Sequence, residues 1–362
     1  MSADRTTILD ALDTRITRRS LLLSLPAFAA ARAVLGAQAA AGTLKIRAFN
    51  HMTISVADPK RTLDFYQGLF GMPVHAHQGA TTLLRVGDGP QFIAVSAAGA
   101  NPVGINHYCV TVEDFSVDRV LKVLADHGVS KADATGGMSG GPMKVRVRMR
   151  GPESGGAPGG TPEIYVGDPD GVVVQLQDPR YCGGGGVLGD GCAPEAAPAK
   201  GLIALKEYNH FTVFSTDAKR SNQFYKDVFG TGIRSYQGPT SPTNAVGVGN
   251  AFLMYAGAGA PAPGAALRPA SINHVCFNLE NFNPDEVIKK LESFGLKPRE
   301  SQTGPVGPLR HYISLRMENR GGFKDGTPEL YFTDPDGILV QLQDVKYCGG
   351  GGYLGDSCPP VA

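Results

Sequence analysis

An excess of charge of one sign is missing from this 362-residue chain, because 34 Lys and Arg oppose 33 Asp and Glu, for a formal net charge of +1. So small a charge gives no electrostatic basis for binding nucleic acid or an acidic membrane surface. No long basic run follows the N-terminal segment either. We therefore expect neither nucleic acid nor a membrane surface among its partners.

A long apolar run is also missing. The apolar stretch near the N-terminus is short and is interrupted by Pro26 and Arg32, which argues against a permanent transmembrane helix. Residues 17–23 (TRRSLLL) resemble a twin-arginine export signal, and Ala-Gln-Ala at 37–39 resembles a cleavage site. A disordered basic tail would explain the arginines but not this order. We expect residues 1–42 to be a signal peptide for export to the periplasm or the exterior.

Cysteine is scarce, with six residues in all. Four of them bound two similar Gly-rich segments, Cys182-GGGGVLGDG-Cys192 and Cys348-GGGGYLGDS-Cys358. We predict one disulfide in each, worth somewhat less than the roughly 3 kcal/mol expected for a 15-residue loop. A metal site is the competing interpretation, but no second set of ligands lies near these thiols in the sequence. The remaining two cysteines, Cys109 and Cys276, are expected to be buried free thiols.

The chain consists of one unit that occurs twice. HMTISVADPKRTLDFYQGLFG begins at His51, and its near-copy HFTVFSTDAKRSNQFYKDVFG begins at His210. His107 lies in INHYCVTVEDF, and His274 lies in INHVCFNLENF. Each half ends on a third shared segment, TPEIYVGDPDGVVVQLQD in the first and TPELYFTDPDGILVQLQD in the second. The chemistry should therefore depend on residues that both copies contain.

Hydrophobic periodicity divides each half into two modules. In the first half, strands are predicted at 46–56 and 104–112, and helices at 59–70 and 116–127. The other predicted strands lie near 74–78, 81–86, 91–96, 144–150, 163–167 and 172–178. Each helix is thus preceded by one strand and followed by three, which gives the order β-α-β-β-β.

Glycine and proline are abundant, with 48 and 26 residues, and they are concentrated in loops. This indicates long surface connections on a β-rich scaffold. The repeat predicts one domain at residues 43–192 and a second at 205–362. Pro194 and Pro198 identify residues 193–204 as the linker between them.

Three motifs carry a family resemblance. A first strand of the form H-x-T-x-x-V-x-D, a helix end F-Y-x-x-x-F-G and a late D-P-D-G turn resemble the vicinal oxygen chelate (VOC) superfamily of glyoxalase I, extradiol dioxygenases and bleomycin-binding proteins. The resemblance covers nearly all of the mature chain. It implies an α+β fold of two tandem VOC domains, each of two βαβββ modules that form a cupped mixed sheet. It does not identify the reaction, because this scaffold serves isomerases, lyases, oxygenases and simple binders.

The resemblance also implies a divalent metal, with one ligand from the first strand of each module and one from the last strand after the D-P-D-G turn. Imidazole ligands suit Fe, Mn, Zn and Ni alike, so the ligand type does not select the metal. Carried onto this chain, the implied ligands are His51, His107 and Gln175 in the first half and His210, His274 and Gln341 in the second.

The third ligand departs from the family pattern. The family usually has Glu where both halves here have Gln, and a neutral amide oxygen binds a hard cation more weakly than a carboxylate does. Glu163 and Glu329 are the candidate acids that would compensate for the missing carboxylate. If the D-P-D-G turn is a tight hairpin, however, strand alternation points Glu163 to the face opposite Gln175.

Other polar residues are weaker candidates. His77 and Tyr236 occupy equivalent positions and would hydrogen-bond a substrate at the mouth of the cup. His311 and Tyr312 occur only in the second half, where they would supply a proton shuttle and a phenol if that half alone is catalytic. A surface strand of mixed polarity explains this pair equally well.

Two further groups of polar residues are interpreted as solvated. His75 and His127 resemble loop or helix-end residues. Arg146, Arg148 and Arg150 alternate along one strand face, which would suit an anionic substrate but is more simply a solvated surface.

Two functions remain open. The first is a metal-dependent dioxygenase, lyase or isomerase that binds the vicinal oxygens of a small-molecule substrate. The second is a metal-free protein that sequesters a small molecule, as bleomycin-binding relatives do. No Ser/His/Asp or Cys/His nucleophile pattern is present, and the sequence leaves the oligomeric state open.

Overall fold

The computed structural model describes residues 42–133, 135–257 and 269–360. The predicted signal peptide therefore lies outside the described residues, except for Gly42. None of the described helices is long and apolar enough to cross a membrane.

The two halves repeat the same order of elements. The first half contains β1 Ile46–Val56, α1 Pro59–Phe70, β2 Val74–Gln78, β3 Thr81–Arg85, β4 Phe92–Ala97, β5 Gly104–Val112, α2 Val117–Asp126, β6 Ser130–Lys131, β7 Lys144–Arg150, β8 Thr161–Gly167 and β9 Val173–Gln177. The second half contains β10 Glu207–Ser215, α3 Ala218–Phe229, β11 Ile233–Tyr236, β12 Pro242–Ala245, β13 Phe252–Gly257, β14 Ser271–Leu279, α4 Pro284–Ser293, β15 Lys297–Pro298, β16 Arg310–Arg316, β17 Thr327–Thr333 and β18 Leu339–Asp344. The sequence did not predict β6 and β15, because two-residue strands leave no periodic pattern.

Each half forms one nine-stranded mixed sheet, with strand order β2-β3-β4-β1-β5-β9-β8-β7-β6 in the first half and β11-β12-β13-β10-β14-β18-β17-β16-β15 in the second. The two modules of the first half meet where β1 pairs antiparallel with β5. The strands that flank this pair run parallel to it, β4 beside β1 and β9 beside β5. This confirms the predicted α+β fold of two tandem mixed sheets, one in each predicted domain.

The two faces of each sheet differ in polarity. Met52 and Ile54 on β1 and Val110 on β5 belong to an apolar core that includes residues of both halves. Rings from the two halves meet there, and the centroids of Phe49 and Phe211 are 5.0 Å apart. The opposite face carries His51 and the other predicted ligands, and we call it the site face.

The D-P-D-G turns connect the two halves. Asp336 accepts hydrogen bonds from Arg61 Nη2 at 2.7 Å and Thr62 Oγ1 at 3.1 Å, at the start of α1. In the reciprocal contact, Asp170 accepts from Ser215 Oγ at 2.6 Å and from the Thr216 backbone N–H at 2.9 Å, just before α3. Each turn therefore fastens one half to the first helix of the other.

The Gly-rich segment after β9 folds back onto the site face. Its Tyr181 carbonyl accepts a hydrogen bond from Asn50 Nδ2 at 2.7 Å. Gly183 has a φ of +81°, and a Cβ there would lie 2.2 Å from Leu83 Cδ2, so this close approach needs glycine.

The cysteines are arranged as predicted. Disulfides join Cys182 to Cys192 and Cys348 to Cys358. Cys109 and Cys276 are buried free thiols.

Candidate metal centre

The three predicted ligands of the first half lie on adjacent strands and meet on the site face. His51 on β1 and Gln175 on β9 both pair in register with Cys109 on β5, the strand that also carries His107. Gln175 Oε1 is 3.1 Å from His51 Nε2 and 3.0 Å from His107 Nε2. All three side chains are buried. The structure thus brings these three residues together.

The second half repeats the cluster with nearly the same distances. Gln341 Oε1 is 3.1 Å from His210 Nε2 and 3.0 Å from His274 Nε2. The two imidazole Nε2 atoms are 3.4 Å apart. The chain therefore contains two equivalent clusters of two imidazoles and one amide.

Asparagines determine which imidazole nitrogen carries the proton. Asn50 Nδ2 donates to the Tyr181 carbonyl, so its Oδ1 must face His51 Nδ1, at 2.7 Å. An amide oxygen only accepts hydrogen bonds, and Nδ1 of His51 is therefore the protonated nitrogen. Asn106 Oδ1 lies 2.8 Å from His107 Nδ1 in the same manner. In the neutral rings, both Nε2 atoms are left unprotonated with a lone pair, and the Thr53 hydroxyl lies 3.3 Å from Nε2 of His107.

The same pattern holds in the second half. Asn209 Nδ2 donates to the Tyr347 carbonyl at 2.7 Å, and its Oδ1 lies 2.7 Å from His210 Nδ1. Asn273 Oδ1 is 2.7 Å from His274 Nδ1. This hydrogen bonding at the second ring nitrogen is typical of metal-binding histidines.

Burial keeps the imidazoles uncharged. It lowers the pKa of His107 to about 4. The pKa of His51 is well below its usual value, first because of burial and second because of the charge His107 would carry. The same causes act on His210, and burial lowers the pKa of His274 to about 4. At neutral pH each cluster therefore presents two imidazole lone pairs and one amide oxygen, which fits a divalent transition metal.

The amide nitrogens allow a second arrangement. Gln175 Nε2 and Gln341 Nε2 are buried and have no hydrogen-bond partner among the described residues. If each amide were rotated by half a turn, its NH₂ group would donate to both imidazoles. In that arrangement the cluster satisfies itself without a cation.

Glu163 does not face away from Gln175, because the turn is not the tight hairpin on which that expectation depended. Tyr165 pairs directly with Gln175, so Glu163, two residues earlier on β8, shares the face of Gln175. The turn between β8 and β9 is the cause. Five residues separate the paired residues Gly167 and Val173, and this shifts the strand register by one residue relative to a tight hairpin. Glu329 likewise lines the same cavity as Gln341.

Both acids are held by arginine and tyrosine. Glu163 Oε1 accepts from Arg150 Nε at 2.8 Å and from Tyr181 OH at 2.9 Å, and Oε2 accepts from Tyr165 OH at 2.9 Å. Glu329 has the equivalent partners Arg316 and Tyr347. These carboxylates therefore hold in place the tyrosine rings that lie beside the imidazoles.

Arg150 was predicted to belong to a solvated face, and this is wrong. Its side chain is fully buried, and Nη2 donates to the Gly184 carbonyl at 3.0 Å. Arg148 on the same strand is half exposed, 3.6 Å from Glu163. Only the tertiary contact with Glu163 and the Gly-rich segment distinguishes the two arginines.

His77 and Tyr236 are exposed and are not brought to the clusters. The next residue on each strand faces the site instead. Gln78 Nε2 donates to Tyr181 OH at 3.0 Å, and Gln237 Nε2 donates to Tyr347 OH at 3.2 Å. Sequence analysis missed this pair, although the same residue type at equivalent positions of both copies was an available signal.

His311 and Tyr312 point in opposite directions. His311 is buried, with Nε2 3.3 Å from Glu292 Oε1 on α4, so it faces the helix rather than the cluster. Tyr312 stacks on Tyr331 at 5.1 Å, and the Tyr331 ring is 5.4 Å from that of His274. Of this predicted pair, only Tyr312 lies on the site face.

A cavity of about 210 Å³ opens above the second cluster. Its walls include His210, His274, Gln341, Tyr331, Glu329 and Arg320. Arg320 is an exposed cation, and the equivalent residue of the first half is Ser154. The two clusters therefore contain the same residue types but differ in charge at the entrance.

His75 is not the solvated residue that the sequence predicted. It is buried at 5% exposure on β2. One of its ring nitrogens and the sulfur atoms of Cys182 and Cys192 lie within 4.8 Å of one another. A histidine from a distant strand therefore lies beside the disulfide, which the sequence did not indicate.

Acidification is expected to destabilise the metal-free protein between pH 6.5 and 4. The unfolded chain protonates histidine near pH 6.5, whereas the folded clusters do not protonate until about pH 4 or below. The unfolded state therefore binds up to four more protons on these histidines, and stability is lost as pH falls.

Two buried aspartates oppose this trend. Burial raises the pKa of Asp168 to about 7 and that of Asp334 to about 6, so the folded state holds two protons that the unfolded state has released. With His75, whose pKa burial also lowers to about 4, five histidines oppose two aspartates. The net difference of about three protons predicts a loss of about 4 kcal/mol per pH unit near pH 5. Urea unfolding at a series of pH values measures this slope, and Asp168→Asn should steepen it. A free energy of unfolding that stays constant from pH 6.5 to 4.5 would contradict the assignment.

Comparison with known proteins agrees with the motif resemblance. Residues 48–176 and 207–342 match the family described as the Glyoxalase/Bleomycin resistance protein/Dioxygenase superfamily. No curated protein is similar enough in sequence to count as a relative.

Several solved structures share the fold. The Mn(II)-bound glyoxalase from Novosphingobium aromaticivorans has a TM-score of 0.54 and 14% identity, over 83% of this chain and 82% of that one. Homoprotocatechuate 2,3-dioxygenase from Arthrobacter globiformis has a TM-score of 0.52 and 16% identity, over 83% and 81% of the two chains. A catechol 2,3-dioxygenase has a TM-score of 0.53 and 13% identity, over 88% and 91%. At these identities the likeness shows the fold alone.

Proposed function

Because the chain belongs to the Glyoxalase/Bleomycin resistance protein/Dioxygenase superfamily, we propose that it is a metal-dependent enzyme acting on a small oxygen-rich molecule. Its ligands are His51, His107 and Gln175 in the first half and His210, His274 and Gln341 in the second. When bound, a divalent metal supplies a Lewis acid for two vicinal oxygens of the substrate, in a dioxygenase, lyase or isomerase reaction.

One observation carries this proposal. In each cluster the amide oxygen lies 3.0–3.1 Å from both imidazole Nε2 atoms, while both Nδ1 protons are engaged by asparagines. Three lone pairs that face one another without a shared proton repel, and a cation among them removes the repulsion. The same geometry occurs in both halves.

Other residues of the second cavity have roles in binding and orientation. Arg320 at the entrance favours an anionic substituent on the substrate, such as a carboxylate. Tyr331 gives the cavity an aromatic wall against which a planar substrate can pack. Its hydroxyl donates to Glu329 Oε2 at 3.3 Å, so that Glu329 holds the ring in place.

The neutral glutamine lowers the affinity of the site for a divalent metal but does not prevent metal binding. We expect Gln341→Glu to tighten Mn²⁺ binding at the second site by at least about tenfold, because a carboxylate cancels one unit of charge. Isothermal titration of the chelator-treated protein measures the affinity, and Gln343→Glu, on the same strand outside the cluster, is the control. An unchanged or weaker affinity in Gln341→Glu would count against glutamine as a ligand.

Direct metal analysis tests the function itself. Protein purified with Mn²⁺, Fe²⁺, Zn²⁺ or Ni²⁺ present should retain close to two equivalents of one of these metals after desalting. Catechols and α-oxo compounds are then the substrate classes to assay. Retention of none of the four metals would overturn the proposal.

A metal-free binding protein is the second candidate. The unpartnered Nε2 atoms of Gln175 and Gln341 favour it, because rotated amides satisfy both clusters without a metal. A protein that binds aromatic small molecules equally well with and without chelator would support this alternative.

Export accounts for the disulfides. Two disulfides in one chain are typical of an oxidising compartment. We assign the twin-arginine segment the role of directing the protein to the periplasm or the exterior. Absence of the mature protein from the periplasm and medium of an expressing Gram-negative host would contradict this.

A further inference from the structure

His75 has no hydrogen-bond partner for either ring nitrogen among the described residues, although it is 5% exposed. A buried polar group without a partner costs about 1–3 kcal/mol. Burial and the nearby Arg85 lower the pKa of His75 to about 4, so the ring is neutral and offers a lone pair. The His75 ring is therefore available to bind a metal ion, and it belongs to neither histidine–glutamine cluster.

Two sulfur atoms near His75 are candidates to bind the same metal ion as its ring nitrogen. One ring nitrogen of His75 and the Sγ atoms of Cys182 and Cys192 all lie within 4.8 Å of one another. Zinc binds thiolates at about 2.3 Å and imidazoles at about 2.0 Å, so ligand atoms around one ion are roughly 3.3–3.8 Å apart. Disulfide-bonded sulfurs are about 2.0 Å apart, so opening the disulfide must move them apart by about 1.7 Å to reach that spacing.

We propose that His75, Cys182 and Cys192 form a second kind of metal site in the reduced chain, which takes a thiophilic divalent cation such as Zn²⁺. A dithiol or phosphine reductant supplies two electrons, the S–S bond breaks, and each sulfur takes up a proton. The cation then displaces both thiol protons into solvent and binds the two thiolates and the imidazole. A disulfide oxidant takes two electrons from the two thiolates and is itself reduced to two thiols, so that the S–S bond reforms and the cation is released.

The segment between the cysteines holds them together without the disulfide. Gly185 and Gly191 exchange two backbone hydrogen bonds, at 3.0 and 2.9 Å. The Cys182 N–H also donates to the Gly189 carbonyl at 2.9 Å. With a Cα–Cα distance of 6.3 Å between Cys182 and Cys192, side-chain rotation alone separates the sulfurs. The reduced pair is thus pre-organised for one ion.

The second half is an internal control. Its segment has the same pair of backbone hydrogen bonds, between Gly351 and Ser357 at 3.1 and 3.0 Å. The residue equivalent to His75 is Arg234, which is also buried. A guanidinium has no lone pair to donate and repels a cation. The first half alone should therefore form this site.

Cobalt(II) serves as the probe, because its thiolate complexes have a ligand-to-metal charge-transfer absorption that imidazole and amide ligands do not produce. The full-length protein is reduced with a phosphine, desalted without oxygen and titrated with Co²⁺. We expect one equivalent of this absorption in the wild type, none in the oxidised protein and at least about 100-fold weaker binding in His75→Ala. Arg234→Ala should behave as the wild type.

A variant that gains cobalt binding tests the proposal even if His75→Ala fails to fold. Arg234→His should raise the charge-transfer absorption from one equivalent to two. Equal absorption in wild type and His75→Ala would overturn the proposal, as would no absorption in a reduced wild type whose thiols titrate as free. These results do not depend on the histidine–glutamine clusters, which lack sulfur ligands.

Discussion

His274→Ala is expected to reduce the metal content of the protein from two equivalents to one and to abolish the activity of the second half. The substitution removes one of three ligands, so the loss in affinity should exceed the 10–100-fold that is typical of residues behind the ligands. His107→Ala should do the same to the first half. Elemental analysis and titration of the chelator-treated variants with Mn²⁺ measure both effects.

Matched variants make this prediction specific. His77→Ala removes an exposed histidine and should leave the metal content at two equivalents. Asn209→Ala leaves all ligands in place but frees His210 Nδ1, and should weaken the second site by about 10–100-fold. Comparing the activities of His107→Ala and His274→Ala also assigns the reaction to one half or to both. Two equivalents retained in the His107→Ala/His274→Ala double variant would refute the ligand assignment.

Arg150→Met is expected to lower the free energy of unfolding by about 3–5 kcal/mol, because it leaves the buried Glu163 carboxylate without its cation. The loss also removes the hydrogen bond to the Gly184 carbonyl, which holds the Gly-rich segment on the site face. Urea unfolding followed by circular dichroism measures the change. Arg316→Met should have a similar effect in the second half, where Arg316 pairs with Glu329.

A neighbouring arginine on the same strand is the control for Arg150. Arg148 is half exposed and 3.6 Å from Glu163, so Arg148→Met should cost less than about 1 kcal/mol. The double variant Arg150→Met/Glu163→Gln should recover part of the stability, because no unpaired charge is then buried. If Arg150→Met and Arg148→Met are equally stable, the buried Arg150–Glu163 ion pair does not stabilise the fold more than the exposed contact does.

The repeat explains why sequence analysis located the clusters. Ligands on strands at equivalent positions of two modules meet whenever those strands pair, and β1 and β5 do pair at the centre of the sheet. The apolar alternation of these strands and the glycines after α1 and α3 gave their positions to within a residue or two. These signals are local, and no tertiary contact contradicts them.

Some predictions that depended on distant contacts, such as those for Arg150 and His75, were wrong. The orientation of Glu163 depends on how many residues the D-P-D-G turn places between its paired ends, and that number comes from the turn's own hydrogen bonds. Asp168 Oδ1, for example, accepts from the backbone N–H groups of Asp170 and Val172, both at 2.9 Å. One residue of register reverses a whole strand face.

By itself the sequence determined the tandem α+β fold, the positions of the clustered histidines and glutamines and the cysteine pairs, because periodicity, repetition and short separation are local features of the sequence. Only the tertiary structure decided the environments of Arg150, His75 and Gln78. Each contacts the Gly-rich segment that follows β9, about 100 residues away in the case of Gln78. Burial and pairing across such distances depend on how the segment packs on the site face, and no local pattern encodes that packing.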